Sequence, residues 1–122
     1  EKLERFAAKG DANGFFEVNQ EFHAALQTLS GNRWLKQVID DLRKVLKLTR
    51  RDSLRLEGRL KQSLEEHRHI LAAIRERDAD SAEALMHAHL LSGRAALAKL
   101  QAAALTPGPS PASGRGERIG HA

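Results

Sequence analysis

The sequence predicts an all-α protein, an antiparallel bundle of amphipathic helices, and three observations support this class. Apolar residues recur at intervals of three and four along most of the chain, which places them on one face of a helix. No stretch shows the sustained alternation of apolar and polar residues that is typical of a strand. Turn-forming residues divide the chain into five segments of helical periodicity, so we expect five helices.

The first two helices are short and medium in length. Residues Lys2 to Lys9 form the first, which ends at the turn-rich run 10–14, and its brevity indicates that the start has been cut. The second extends from about Phe15 to Leu29 and ends where Gly31 suits a left-handed C-terminal cap.

The third helix begins after Asn32, a good N-cap, and continues to about Arg51. It is strongly amphipathic, with an apolar stripe made of Trp34, Leu35, Val38, Leu42, Val45, Leu46 and Thr49. The pattern weakens over 52–58, where we place a connector.

The fourth helix spans about Arg59 to Glu76, with Leu60, Leu64, Leu71 and Ile74 on its apolar face. Asp78 or Asp80 then caps the fifth, which continues to about Leu105, and Asp80 with Glu83 fits the spacing of a capping box. We therefore expect a helical domain over 1–105. Residues 106–122 are rich in proline, glycine and serine and are expected to form a disordered tail.

Composition limits the chemistry that the chain can carry. Its 122 residues form one domain at most, and the absence of cysteine excludes disulfides and thiolate metal sites. Histidine, carboxylate and amide remain as ligands. No apolar run approaches the ~20 residues of a membrane span, and the beginning of the sequence does not resemble a signal peptide. A cytoplasmic location without membrane partners is expected.

The net charge is +4, and positive residues cluster in the middle of the chain. This basic cluster comprises Arg43, Lys44, Lys47, Arg50, Arg51, Arg55, Arg59 and Lys61. It could contact phosphate, but the favoured interpretation is the solvent-facing side of a helix and the connector after it. The aromatic residues lie elsewhere, so no stacking platform for single-stranded nucleic acid is predicted.

Two histidines interrupt the apolar faces of the last two helices. His67 projects from the centre of one apolar stripe and His89 from the centre of the other, whereas His69 and His87 point to the opposite sides. A buried imidazole needs partners for its ring nitrogens, since an unpaired buried polar group costs about 1–3 kcal/mol. Something must therefore satisfy the two inward histidines.

The second helix adds two more polar side chains to this set. Asn19 falls inside the edge of the apolar stripe, and His23 follows one turn later at its flank. Inward groups on three helices of a bundle can converge into a metal site. Imidazoles suit zinc, nickel, copper or iron, and an amide oxygen can complete the set. We therefore predict a divalent metal site made of Asn19, His23, His67 and His89, with zinc or nickel favoured; a network of histidines and hydroxyls is the alternative.

Four sequence blocks together resemble a known family. These are Val18-Asn-Gln-Glu-Phe-His-Ala-Ala-Leu26, Ser30-Gly31-Asn32, Ser63-Leu-Glu-Glu-His67 followed by Ile70-Leu-Ala-Ala-Ile74, and Asp78 with Ala82, Met86 and His89-Leu90. In order and spacing they resemble the C-terminal effector domain (FCD domain) of GntR-type transcription regulators of the FadR subfamily. The resemblance covers about Lys2 to Leu100.

The resemblance implies an antiparallel bundle that dimerises, is not an enzyme, and follows a DNA-binding winged helix. Many members bind a divalent metal through one aspartate and three histidines, and the metal helps to hold a small organic acid effector. The three histidines correspond to His23, His67 and His89, and the aspartate position is Asn19. Neither the winged helix nor the first helix of the family domain is found in this sequence. We therefore expect a fragment whose bundle leaves one apolar face uncovered.

Two other classes of function were weighed against a regulatory domain. A three-histidine metallohydrolase would need a general base, and Glu66 is expected to point away from the inward face. A di-iron enzyme would need two inward Glu-x-x-His pairs, whereas the only such pair, Glu66 with His69, is predicted to face outward. A metal-free structural bundle is the remaining alternative, because Asn19 replaces a carboxylate.

Overall fold

The computed structural model describes residues 1–106 and 108, and its secondary structure is entirely helical over that part of the chain. The helices are α1 (Lys2–Ala8), α2 (Ala12–Leu29), α3 (Arg33–Val45), α4 (Lys47–Ser53), α5 (Arg59–Arg75) and α6 (Ala79–Leu105). The predicted all-α class is confirmed. No helix among the described residues is long and apolar enough to cross a membrane. Apart from Thr106 and Gly108, the predicted tail lies outside the described residues.

Side-chain caps fix where several helices begin. Asn32 accepts a hydrogen bond from the backbone N–H of Leu35 at 3.0 Å, which confirms the predicted N-cap of α3. Gly31 has φ +68°, the left-handed conformation expected of it. At α6 the capping residue is Asp78, which accepts from the backbone N–H of Ser81 at 3.0 Å. The alternative capping box starting at Asp80 is wrong, because Asp80 already lies in the first turn.

Helix α2 begins three residues earlier than predicted. Asp11 is its N-cap and accepts from the backbone N–H of Gly14 at 2.9 Å. The run of turn-forming residues therefore contains a tight turn at Gly10, with φ +65°, followed directly by helix. Capping by the aspartate outweighs the low helix propensity of Asn13 and Gly14.

The predicted third helix is divided in two at Leu46. This residue has φ −94° and ψ 6°, outside the helical range, and α4 begins at the next residue. Helix α3 contacts α2, whereas α4 also contacts α6. The helices before and after the break therefore pack against different partners. The connector is shorter than predicted, because Asp52 and Ser53 belong to α4.

The core lies where α2, α4 and α5 meet. Phe15 and Phe16 are fully buried and pack with Leu54 and Leu64. The buried face of α5 comprises Arg59, Ser63, Leu64, His67, Ile70 and Ala73. Leu71, predicted on this face, is 37% exposed, so the face is rotated slightly towards Ile70 and Ala73, and His67 remains near its centre.

The apolar stripe of α3 is not covered within the described structure. Trp34 is 69% exposed and Val45 82%, and Val38 and Leu42 are more than half exposed. The expected uncovered apolar face is thus present, and it belongs to α3. It borders a cavity that reaches into the bundle between α3 and α6.

Candidate metal centre

Three histidines from three helices converge inside the bundle. His23 comes from α2, His67 from α5 and His89 from α6, and all three are buried. One ring nitrogen of each lies within 4.8 Å of the other two. His69 and His87 are exposed, as predicted from the helical phases. The helix periodicity thus identified which histidines meet.

The tautomer of His67 is set by its own helix. Its Nδ1 lies 2.5 Å from the backbone carbonyl oxygen of Ser63, one turn earlier. A carbonyl only accepts, so Nδ1 carries the hydrogen and donates it. The lone pair is then on Nε2, which is buried and has no hydrogen-bond partner. This nitrogen is free to bind a cation.

The tautomer of His89 is set by a carboxylate on the neighbouring helix. Its Nδ1 lies 2.5 Å from Oε2 of Glu66, to which it donates. The lone pair of Nε2 then faces Nε2 of His23 at 3.3 Å. In protein metal sites, the ring nitrogen of a histidine that does not bind the ion usually donates to a carboxylate or a carbonyl.

Glu66 is itself held by two further side chains. Ser92 on α6 donates its hydroxyl hydrogen at 2.6 Å, and Arg59 donates at 3.2 Å. Burial raises the pKa of Glu66, but hydrogen bonds from Ser92, His89 and Arg59 outweigh it and lower the pKa overall. The carboxylate is therefore ionised. It has no spare position from which to act as a general base.

The prediction that Glu66 points away from the site was wrong. It is adjacent to His67 in sequence and so lies about 100° around the helix, a position that faces α6 rather than solvent. Arg59, only 6% exposed, was also missed as an inward residue. The signal for both was the polar pair His89 and Ser92 on α6, which donate to Glu66, with Ser92 also accepting from Arg59. This signal is recognisable only once α5 and α6 are known to pack together.

Asn19, the fourth predicted ligand, lines the same cavity as His23 and His89. It is 7% exposed, and its side-chain oxygen is buried without a hydrogen-bond partner. A buried carbonyl oxygen without a partner is costly, by about 1–3 kcal/mol. Together with Nε2 of His67, it is one of two unsatisfied atoms from the four predicted ligand residues.

Burial keeps all three imidazoles neutral. It lowers the pKa of His23 to about 2, with a further contribution from the positive charge of Arg43. Burial also lowers the pKa of His67 to about 4 and lowers that of His89, where Glu66 opposes the effect. The neutral imidazole is the form that binds metal.

A cavity of about 380 Å³ opens beside the histidines. Its polar lining includes Asn19, His23 and His89, and its apolar walls include Leu42 on α3 and Leu97 on α6. Small-molecule sites have volumes of roughly 300–1,000 Å³. The cavity is therefore large enough for a small ligand in reach of the histidines.

Four arginines line the same cavity: Arg43, Arg50, Arg59 and Arg94. Three of them belong to the basic cluster that was interpreted as a solvent-facing surface. That interpretation was wrong for Arg59, which is buried, and for Arg43 and Arg50, which are half-buried. Lys44, Lys47, Arg55 and Lys61 are exposed, as expected.

Comparison with known proteins gives one finding that bears on this arrangement. The family model described as the FCD domain matches residues 1–92, about three quarters of the chain. The match includes all three histidines and Glu66. No curated protein and no solved structure matches the chain.

Proposed function

Since this chain belongs to the FCD family, the effector-binding regulatory domains of GntR-type transcription regulators, we propose that it senses a small organic acid through a bound divalent metal. An FCD domain is a regulatory domain and not an enzyme, so the metallohydrolase alternative is set aside. The observation that carries the proposal is the convergence of His23, His67 and His89, with the lone pairs of His67 and His89 left free by their hydrogen bonds.

The residues present fit a divalent transition metal. Nε2 of His67 and the side-chain oxygen of Asn19 are buried without partners, and a cation would satisfy both. Nε2 of His23 and Nε2 of His89 face each other at 3.3 Å. Three neutral imidazoles and one amide oxygen suit zinc or nickel, which are the ions we propose.

Each residue of the site has a distinct part in this proposal. His23, His67 and His89 would hold the ion, and Asn19 would supply an oxygen. The bound ion would supply a fixed positive charge and an open coordination position for a carboxylate. Glu66 and the carbonyl of Ser63 orient two of the imidazoles, while Leu42 and Leu97 supply apolar wall to the cavity.

The regulatory consequence follows from where the ligands are located. They belong to α2, α5 and α6, so an effector bound beside the ion would change how these helices pack. In a homodimer, such a change would alter the relative placement of two separate winged-helix DNA-binding domains. We propose that residues 1–105 form this unit, within the FadR subfamily and in the cytoplasm.

One observation supports a second candidate, a metal-free bundle. The 3.3 Å contact between Nε2 of His23 and Nε2 of His89 is also compatible with a hydrogen bond donated by His23. In that case Asn19 would serve only as a core amide. The two candidates make opposite predictions for the effect of metal on stability.

Thermal melts of the chelator-treated chain with zinc, with citrate and with both distinguish the candidates. We expect zinc to raise the melting temperature, and citrate to raise it further only when zinc is present. A ligand at one hundred times its Kd stabilises by about 2.7 kcal/mol. No stabilisation by zinc, or equal stabilisation by citrate with and without zinc, would contradict the proposed function.

A further inference from the structure

We propose that the effector is a small dicarboxylate, held at one end by the metal and at the other by Arg43 and Arg50. This inference rests on the proposed function and specifies its ligand. It starts from two arginines on different helices that line the cavity beside the histidines.

The two guanidinium groups share one neutral acceptor. Arg43 on α3 donates to the side-chain oxygen of Gln20 at 2.9 Å, and Arg50 on α4 donates to the same oxygen at 3.2 Å. Within residues 1–106, neither guanidinium has a carboxylate within 4.0 Å. Two half-buried positive charges therefore meet at one neutral acceptor, and neither forms an ion pair within the described residues.

Their arrangement favours an anion. Burial, together with the nearby charge of Arg50, lowers the pKa of Arg43 to about 10, although the charge of Asp40 opposes this shift. A guanidinium presents several N–H donors in one plane and binds carboxylates through two parallel hydrogen bonds. One carboxylate placed between Arg43 and Arg50 would supply the missing charge and accept hydrogen bonds from both.

The metal end of the cavity requires a second negative charge. Its proposed ligands, three neutral imidazoles and the amide of Asn19, would leave the charge of a divalent ion uncompensated. Glu66 does not supply that charge to the cavity, because it already pairs with Arg59 at 3.2 Å. A monocarboxylate could neutralise only one end.

Both ends belong to one continuous space. The same cavity, about 380 Å³, is lined by His23 and His89 and also by Arg43 and Arg50. Leu42 and Leu46 form part of the wall, so a short aliphatic backbone between two carboxylates would meet apolar surface. A small dicarboxylate matches this combination of charged and apolar lining.

Titration calorimetry of the zinc-loaded full chain tests the inference, with acetate compared against malonate, succinate and glutarate. We expect at least one dicarboxylate to bind about tenfold or more tighter than acetate, the factor expected for one charge-assisted hydrogen bond. Arg43→Gln and Arg50→Gln should each weaken dicarboxylate binding by about the same factor. Neither change should weaken zinc binding, because each removes a positive charge that acts on His23.

Lys44→Gln is the matched control. It removes the same charge from the next position on α3, where the ammonium group is exposed. We expect it to leave the ratio of dicarboxylate to acetate affinity unchanged. If Arg43→Gln does not fold, Arg43→Lys replaces it, because lysine keeps the charge and lacks the planar pair of donors. Arg43→Lys should also reduce the ratio of dicarboxylate to acetate affinity.

The possible failures are distinguishable. Zinc binding with equal affinity for acetate and all three dicarboxylates would overturn the bridging ligand alone, as would equal effects of Arg43→Gln and Lys44→Gln. Absence of zinc binding by the unchanged chain would overturn the metal centre of the proposed function, and the bridge with it.

Discussion

Glu66 connects the face of α6 that carries His89 to α5. It accepts from His89, Ser92 and Arg59, so one carboxylate fixes the ring of a proposed ligand and neutralises a buried arginine. Residues of this kind affect metal affinity although they never touch the ion.

Glu66→Gln should therefore weaken zinc binding by about 10- to 100-fold. The amide can still accept from His89, but it no longer carries the charge that makes the imidazole a stronger ligand. Glu65→Gln is the control, because Glu65 is half-exposed and pairs only with Arg68. Competition with a zinc chelator measures both affinities, after circular dichroism has shown that both variants are folded. Equal affinities for the two variants would contradict the role assigned to Glu66.

Asn19→Asp separates the metal centre from a metal-free core. If Asn19 is a ligand, aspartate should raise zinc affinity, because a carboxylate is a stronger ligand for a divalent ion. It should also reduce the added thermal stabilisation by citrate, since the ion would then be less positive. In a metal-free core the same change buries an uncompensated carboxylate and lowers stability. Lower stability of Asn19→Asp at every zinc concentration would refute a metal role for this position.

The site residues divide into those that the sequence could predict and those that it could not. The inward positions of His23, His67 and His89 follow from helical periodicity alone, because each lies within a long stripe of apolar residues. Glu66 and Arg59 could not be found in this way, because their inward positions depend on hydrogen bonds to α6. Glu66 accepts from His89 and Ser92, and Arg59 pairs with Glu66. Side-chain pairing across helices depends on the packing of those helices.

At the scale of elements, two helices with similar apolar stripes have different roles. Helix α5 buries its stripe against the rest of the bundle, with Ile70 almost fully enclosed. The stripe of α3 is exposed. Amphipathicity therefore identifies a face that could be buried, and it does not identify what covers that face.

Ile70→Ala should lower the free energy of unfolding by about 2–5 kcal/mol, because it removes methyl groups from a closed core. Val38→Ala on α3 should change it by no more than about 0.5 kcal/mol, since Val38 is 57% exposed. Urea denaturation followed by circular dichroism measures both changes. A comparable decrease in the free energy of unfolding for both variants would show that the apolar face of α3 is buried in solution.

The limits of prediction for elements have a physical cause. The caps at Asn32 and Asp78 were predictable, because each is a local interaction between a side chain and the next turn. The break at Leu46 was not, since good helix-forming residues surround it and neither glycine nor proline marks it. The break reflects the contact of α4 with α6, which is a tertiary interaction.

At the scale of the whole molecule, the charge distribution bears on DNA binding. Arg43, Arg50 and Arg59 line the internal cavity, so fewer members of the basic cluster are available at the surface than the sequence suggested. The family places DNA recognition in a separate domain. The chain itself should therefore contact phosphates only weakly.

We expect this chain to bind duplex DNA weakly, without sequence preference, and with an affinity that falls steeply as salt concentration rises. A competition assay between two duplexes of equal length and scrambled sequence measures the preference. Consistent discrimination between them would contradict this expectation.

The architecture as a whole was predicted by two routes. Composition and periodicity established a helical protein, while the resemblance of four sequence blocks to the FCD family supplied the type of bundle. The cavity between α3 and α6 followed from neither route, because it depends on how far apart the helices lie.

Metal content, measured by elemental analysis on protein purified without chelator or added metal, tests the central claim most directly. We expect about one zinc or nickel ion per chain, and loss of that ion in His67→Ala and His89→Ala. His69→Ala and His87→Ala should retain it, because those side chains are exposed. A metal-free unchanged protein that also fails to take up zinc, or equal loss in all four variants, would contradict the account.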